Sequence, residues 1–208
     1  MKTRTIKYLS DQEKNELFEV IKKDNSICAV RNRAIFYLAE YCALRVSEVG
    51  EIRISDYNKN LGQIYCKRKK GSRDNTIRIL DDEVLESLNF YLEERLNLSF
   101  DSNVLFISKR GLPISRKTLD CIMKSYCSST SIPLDKRHFH VLKHTRAIEL
   151  GNYGLDLKDI QWWLGHTNIE NTQIYAQFTT YQQNYLYEKI QKGKLLYGER
   201  EKKNKPII

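Results

Sequence analysis

The stretch HFHVLKHTRAIELGNYGLDLKDIQWWLGHTNIENTQIY occupies residues 138–175 and decides the fold of the C-terminal half of the chain. It contains all four histidines and both tryptophans of the sequence, and it ends at Tyr175. Its apolar residues recur at helical spacing and turn residues divide them, which predicts three consecutive helices. The first predicted helix is 140–152, the second is capped by Asp156 and runs up to Gly165, and the third is capped by Asn168 and covers 169–178.

The same stretch concentrates hydrogen-bond donors, a cation and one potential nucleophile. His140 and His144 flank Lys143, His166 follows a Leu-Gly pair, and Tyr175 comes last. Imidazoles and an ammonium stabilise negative charge, and a phenol becomes a nucleophile when it loses its proton. Any one of the 13 tyrosines is by itself more simply a packing residue. The ordered set, rather than any single member, therefore indicates a catalytic site.

Two of the histidines also have the spacing of a metal site. At positions i and i+4 of a helix, His140 and His144 share one face and could bind zinc. A metalloprotease helix, however, needs a glutamate after its first histidine, and Val141 stands there. The five cysteines include no C-x-x-C pair and predict neither a zinc site nor a disulfide framework. We therefore expect no metal site.

The charge of the chain favours a polyanionic partner. Lysine and arginine number 35 against 26 acidic residues, a formal net charge of +9. Cations that neutralise phosphates release counterions, so this balance suits nucleic acid, although composition alone fits a basic protein without such a partner equally well. No apolar run approaches the roughly 18 residues of a membrane span, and the N-terminus has no signal-peptide core. We expect a cytoplasmic protein.

Upstream of the stretch, helices dominate and one hairpin interrupts them. Ser10 and Glu13 have the spacing of a capping box at a helix start. The predicted helices are 11–23, 29–42, 82–96 and one that begins after Ser115. The predicted strands are 63–68 and 76–80, with turn residues between them. The expected fold of these 208 residues is one domain, mainly α with a small β-sheet or hairpin.

The predicted hairpin has a basic tip. Its turn reads KKGSRDN over residues 69–75. Such a turn is by composition most often only solvated, but a β-ribbon that carries cations can also enter a DNA groove. Arg116 and Lys117 begin a later helix and oppose its dipole, a cost that phosphate binding would offset. The predicted DNA-binding residues are Lys67, Arg68, Lys69, Arg73, Arg116 and Lys117.

An arginine motif, ALRVSEV at residues 43–49, follows the second predicted helix. Ser47 is placed to cap another short helix. Arg45 lies at the edge of the core, where burial of a guanidinium is costly unless it finds an anion. By itself this arginine could equally be a surface residue or a partner of Glu48.

Together these motifs resemble the tyrosine recombinase, or phage integrase, family over about residues 9–178. ALRVSEV is similar to the family's first arginine box, G-L-R-x-S-E-L. The six positions at which the family carries catalytic residues are Arg45, Lys70, His140, Lys143, His166 and Tyr175. The resemblance implies the mainly helical fold of the DNA breaking-rejoining enzymes. It also implies a site-specific DNA recombinase, of integrase or invertase type, that forms a 3′-phosphotyrosine intermediate without a cofactor.

The resemblance assigns a role to each residue. Arg45 and Lys143 would clamp nonbridging oxygens of the scissile phosphate, and His166 would donate a hydrogen bond to one of them. His140 would act as general base toward Tyr175. A phenol needs such help because its ordinary pKa is about 10.

The remaining roles are less direct. Lys70, or Lys69 beside it, would protonate the leaving 5′-oxygen, while Glu48 and His144 would orient the other groups, although ordinary packing explains those two equally well. Lys143 stands where the family usually has arginine, which exchanges a bidentate fork for a point charge. A catalytically weakened DNA-binding regulator of the same fold is therefore the alternative, and a topoisomerase with the same chemistry also stays open.

The resemblance also implies an organisation for the chain. It predicts a catalytic domain over 1–180, a helical tail over 181–208 that is exchanged between protomers, and no separate N-terminal DNA-binding domain. This layout is similar to the short recombinases that invert fimbrial promoter segments. The implied partners are double-stranded DNA recombination sites, other copies of the chain in a homotetramer on synapsed DNA, and accessory DNA-bending proteins. The target sequence, and the choice between inversion, integration and excision, stay open.

Overall fold

Helices make up most of the structure, and one small sheet lies among them. The computed structural model describes residues 6–69, 71–176, 184 and 187–192. Its helices are Asp11–Lys22 (α1), Ala29–Tyr41 (α2), Val46–Val49 (α3), Asp82–Asn97 (α4), Arg116–Cys127 (α5), Val141–Asn152 (α6), Leu157–Leu164 (α7) and Glu170–Ala176 (α8). Its strands are Tyr57–Asn58 (β1), Gln63–Cys66 (β2) and Asn75–Arg78 (β3). The expected mainly α fold with a small β-sheet is confirmed.

Side-chain caps begin several helices at the predicted residues. Ser10 Oγ accepts a hydrogen bond from the Glu13 amide at 3.3 Å, and Glu13 Oε2 accepts one from the Ser10 amide at 2.7 Å. These bonds satisfy amides that the first turn of a helix leaves without partners, so the predicted capping box is confirmed. Ser115 and Asp156 cap α5 and α7 through their side chains.

The predicted hairpin is present, and a third strand extends it. β2 pairs antiparallel with β1 on one side and with β3 on the other. Alternate residues of a strand point to opposite faces, so Ile64 and Ile77 are buried while Tyr65 is exposed. β2 ends at Cys66, two residues earlier than predicted, because the chain then leaves the ladder to form the hairpin turn.

α2 is the central helix of the core. Ten of its 13 residues are buried, as expected for a helix that is surrounded by protein. It packs mainly against α4 and α6. A smaller group of buried residues lies between α6, α7 and α8 and includes Tyr175. Trp163 joins the two groups, and its indole N–H donates to the Tyr41 carbonyl at 2.9 Å. The histidine-rich stretch is thus folded back onto the central helix.

Some expectations lie beyond the described part of the chain. Lys70, the predicted domain boundary at residue 180 and most of the predicted tail over 181–208 fall outside the described residues. Of the helices that are described, none combines the length and apolar character needed to cross a membrane.

Candidate active site

Five of the six residues predicted for catalysis lie in one site, and the sixth lies outside the described residues. Arg45 comes from the start of α3, His140 and Lys143 from the start of α6, His166 from the turn after α7, and Tyr175 from α8. Burial is the main cause of the pKa shifts of His140, His166 and Tyr175, and the charge of Arg45 acts on all three. The five described residues of the predicted set therefore converge in space.

Glu48 holds Arg45 at the N-cap of α3. The Arg45 amide donates to Glu48 Oε2 at 2.8 Å, and the guanidinium donates to Oε1 at 2.7 Å. The helix begins at Val46, so the cap predicted at Ser47 is wrong. Ser47 is instead the second residue of the helix. The Arg45 side chain keeps 26% of its surface exposed, so its guanidinium can still meet an anion.

Lys143 points into the protein. The residue is 2% exposed, and Nζ donates to the carbonyls of Ala43 at 2.9 Å and Leu164 at 3.1 Å. Burial, together with the charges of Arg68 and Arg45, lowers the pKa of Lys143 well below its usual value. An ammonium has three N–H donors. A phosphate bound here would therefore receive at most one hydrogen bond from Lys143.

The structure contradicts the prediction that Arg68 binds DNA. Its guanidinium donates to the carbonyls of Cys42 at 3.0 Å and Trp163 at 2.8 Å. It also donates to Asn75 Oδ1 at 3.1 Å and Glu48 Oε2 at 3.3 Å. None of the side chain is exposed, so the prediction that Arg68 contacts DNA is wrong. The alternation that buries the residue two positions earlier also turns Arg68 inward, where it joins the hairpin to α7 and to the α2–α3 turn.

The hairpin turn is fastened to the turn that carries His166. The Arg73 amide donates to the Gly165 carbonyl at 2.8 Å, and Thr167 Oγ1 donates to the Gly71 carbonyl at 2.6 Å. Gly165 has a φ of 68°, and a Cβ there would lie 2.6 Å from the Arg73 oxygen. Only glycine fits this position, because a side chain would collide with the hairpin backbone. The contact holds the basic tip beside His166.

α8 is attached to the site by two imidazoles. His166 Nδ1 lies 3.0 Å from Thr172 Oγ1, and His144 Nδ1 lies 2.8 Å from Tyr175 Oη. Thr172 and Tyr175 are three residues apart and share a helix face, and their exposures are 0% and 2%. Burial raises the pKa of Tyr175, although the charge of Arg45 opposes that rise. The phenol is therefore protonated in this structure.

The two histidines of α6 occupy different positions. Their rings pack edge to face, with centroids 4.6 Å apart. We expected His140 to act on Tyr175, but His144 makes the hydrogen bond to its hydroxyl. Burial and neighbouring positive charge lower the pKa of His140 to about 4 and that of His144 to about 3. In the same way, the pKa of His166 falls to about 3, so all three rings are uncharged at neutral pH.

A family model described as the phage integrase family matches residues 7–181. The chain belongs to this family. Its relatives include tyrosine recombinase XerA of Pyrococcus furiosus, 33% identical over 193 residues, which are 91% of this chain and 63% of that protein. Tyrosine recombinase XerD of Pasteurella multocida is 30% identical over 189 residues, which are 90% of this chain and 63% of that protein. The chain thus spans less than two thirds of the length of these relatives.

Solved structures have the same fold. The crystal structure of XerA recombinase is 28% identical, with a TM-score of 0.74 over 88% of this chain and 64% of that one. XerH site-specific recombinase, in a post-cleavage complex with a palindromic difH substrate, is 22% identical, with a TM-score of 0.76 over 87% of this chain and 52% of that one. The described helices and sheet of this phage integrase family member are therefore those of a tyrosine recombinase catalytic domain.

The other cations predicted to contact DNA remain accessible in this family member. Lys67, Arg73, Arg116 and Lys117 are exposed, and Arg116 Nε lies 3.7 Å from Asp120. Lys69 keeps 42% of its side-chain surface exposed and is ion-paired with Glu51, while its amide donates to Glu48. Within the described ranges, no group of three or more His, Cys, Asp or Glu side chains could hold a metal ion.

Sequence reasoning missed the residues that tie the segments of the site together. Thr172 was detectable, because it lies one turn before Tyr175 on the same helix face. Asn75 was not detectable. Its side chain donates to the Trp162 carbonyl at 2.8 Å across 87 positions of sequence, and no local pattern predicts such a contact.

Proposed function

We propose that this chain cuts and rejoins double-stranded DNA at specific sites, with Tyr175 as the nucleophile. The observation that carries the proposal is the position of the Tyr175 hydroxyl, which hydrogen-bonds an imidazole in a site shared with Arg45, Lys143 and His166. Membership of the phage integrase family supports the same conclusion. So do relatives that are themselves tyrosine recombinases.

In the proposed reaction, Tyr175 Oη attacks a backbone phosphorus while the bond from phosphorus to the 5′-oxygen breaks. The products are a 3′-phosphotyrosine ester and a 5′-hydroxyl. The phosphate gains negative charge in the transition state, and cations already in place stabilise it. Arg45 would bind its nonbridging oxygens through the exposed part of the guanidinium. Lys143 would contribute one donor and His166 another.

The leaving oxygen needs a proton. We assign its donation to the hairpin lysine, Lys70 or Lys69, because the hairpin turn is fastened beside His166. Lys69 already has an acidic partner in Glu51, which favours Lys70 for this role. A general acid of this kind typically contributes about 10²–10⁴-fold to the rate.

DNA binding would use the exposed cations. Lys67, Arg73, Arg116 and Lys117 would neutralise backbone phosphates, which orients a protein on DNA without reading its sequence. Further parts of the proposal are a homotetramer on synapsed DNA, help from DNA-bending proteins and a cytoplasmic location.

A trapping experiment tests the proposed nucleophile. Purified protein is incubated with nicked duplexes that tile the DNA beside its own gene, and protein–DNA adducts that survive SDS are measured. We expect an adduct with one duplex, no adduct with Tyr175→Phe, and unchanged DNA binding by that variant. The matched control is Tyr153→Phe, because Tyr153 is 67% exposed on the surface.

Each result decides one part of the proposal. Equal adduct from the wild type and Tyr175→Phe would reject Tyr175 as the nucleophile. Salt-sensitive binding to one duplex without any adduct would reject strand cleavage and favour a DNA-binding regulator.

A further inference from the structure

The contact between His144 and Tyr175 joins two uncharged groups in a buried place. Nδ1 and Oη are 2.8 Å apart, and the ring centroids are 5.7 Å apart at an interplanar angle of 46°. The pKa of His144 is lowered, chiefly by burial, and burial raises the pKa of Tyr175. The phenol therefore donates its hydrogen to the lone pair of Nδ1, and this geometry assigns the ring hydrogen to Nε2.

The two histidines of α6 differ in what they face. His140 is at the N-cap of α6. Its pKa is lowered mainly by burial and next by the charges of Lys143 and Arg45. One turn later, His144 is directed at Tyr175 instead, and its ring packs against that of His140. Lys143 thus acts on both histidines and Arg45 on the first, whereas the hydrogen bond to the nucleophile is made by the second.

We propose that His144 is the catalytic residue that accepts the proton of Tyr175 during strand cleavage. The inference rests on the proposed function. As Oη bonds to phosphorus, its hydrogen moves to Nδ1 and His144 becomes an imidazolium that carries hydrogen on both nitrogens. The 5′-oxygen leaves with a proton from the hairpin lysine. When a 5′-hydroxyl attacks the phosphotyrosine, its proton passes to the hairpin lysine and His144 returns its own proton to Oη, so each cycle leaves both groups unchanged.

Bound DNA would favour this proton transfer to His144. In the described structure, burial and the positive charge of Lys143 disfavour an imidazolium at position 144. A scissile phosphate bound by Arg45 brings negative charge to the same site, which favours the protonated ring. The base is therefore weak while the site is empty and becomes stronger when substrate is bound. Geometry supports this role as well, because the proton has to travel only along an existing hydrogen bond.

The test first removes the proposed base, His144, and then replaces Tyr175 with a phenol that loses its proton more readily. Single-turnover adduct formation is measured on the nicked duplex that traps the wild type. We expect His144→Phe, which keeps a ring but cannot accept a proton, to slow adduct formation by about 10²–10⁴-fold. Replacing Tyr175 with difluorotyrosine gives a phenol of nearly the same shape that loses its proton more readily. We expect this phenol to restore more than about tenfold of the rate in the His144→Phe background and to change the wild-type rate far less.

His140→Phe is the matched control, one turn away on the same helix. We expect it to slow cleavage without rescue by difluorotyrosine. Rescue of His140→Phe instead of His144→Phe, a His144→Phe rate within about threefold of wild type, or faster cleavage by His144→Phe would each overturn the inference. His144→Gln provides a second variant if His144→Phe does not fold. A wild type that forms no adduct rejects the proposed function, whereas an active wild type with an equally active His144→Phe rejects only the role of His144.

Discussion

The positively charged residues of the hairpin differ in burial and therefore in what they contact. Lys67 and Arg73 are exposed, whereas the Arg68 side chain has no exposed surface and makes hydrogen bonds to four other parts of the chain. Successive residues of an extended segment point to opposite sides, so adjacent cations can face solvent and core. The difference shows that a basic sequence predicts a surface for DNA only through those cations whose charged ends reach solvent.

The buried cation should matter far more for stability than the exposed one. We expect Arg68→Gln to lower the free energy of unfolding by about 3–5 kcal/mol, because it leaves Glu48 short of a buried partner and removes the hydrogen bonds from the guanidinium to the carbonyls of Cys42 and Trp163. Arg73→Gln should change that free energy by less than about 0.5 kcal/mol. Urea unfolding monitored by circular dichroism measures both values. Similar losses in the two variants would contradict the distinction.

The pH dependence of stability tests the site around the buried cations. The pKa values of His140, His144 and His166 fall to about 4, 3 and 3, with burial as the first cause. Unfolded histidine has a pKa near 6.5. The three rings therefore contribute stability that is present above pH 6.5 and is lost as the pH falls toward 3. Burial raises the pKa of Glu40 to about 7, so this group acts in the opposite direction between pH 7 and 4.5.

Burial lowers the pKa of His138 as well, so the four histidines together bind at most four protons on unfolding against the one that Glu40 releases. We expect the free energy of unfolding to fall with decreasing pH between about 6 and 4.5, by at most about 4 kcal/mol per pH unit. His144→Gln should reduce this slope by about 1.4 kcal/mol per pH unit, because one proton is removed from the difference. Urea titrations at a series of pH values give the slope. An unchanged slope in the variant would mean that His144 is not held neutral by the fold.

The exposed cations should have the smallest individual effects, and these should appear in DNA binding. Each phosphate contact contributes about 0.9 to the slope of log affinity against log salt concentration. We expect Arg73→Gln and Lys117→Gln each to reduce that slope by about this amount on every duplex tested. Lys22→Gln serves as the control, since Lys22 is an exposed cation that pairs with Glu83 on α4. A slope unchanged by Arg73→Gln or Lys117→Gln would exclude that residue from the DNA surface.

Local features of the fold were predictable because their causes are local. The Ser10 capping box, the hairpin and the cap at Asp156 each depend on residues a few positions apart. The prediction failed at Ser47, because the helix begins at Val46 and Glu48 accepts hydrogen bonds from the amide and the guanidinium of Arg45. Cap preference is only a tendency, so a serine in a suitable context does not always take the cap position.

The ordered motifs predicted which residues would meet in the site, but not which histidine would face which group. His140 and His144 share a helix face, so helical spacing treats them alike. The docking of α8 onto α6 brings the Tyr175 hydroxyl to His144. That docking depends on buried contacts between distant segments, among them the bond between Thr172 and His166.

By itself, the sequence determined the helical class, the hairpin, the family and the set of reactive residues. Periodicity, caps and each of the ordered motifs can be recognised from residues that are close together in the sequence. Only the tertiary structure decided which cations are buried and which imidazole touches the nucleophile. Arg68 and Lys143 turn inward because backbone carbonyls from Cys42, Ala43, Trp163 and Leu164 converge on them. A charge is buried only where such acceptors assemble, and they assemble only when the chain has folded.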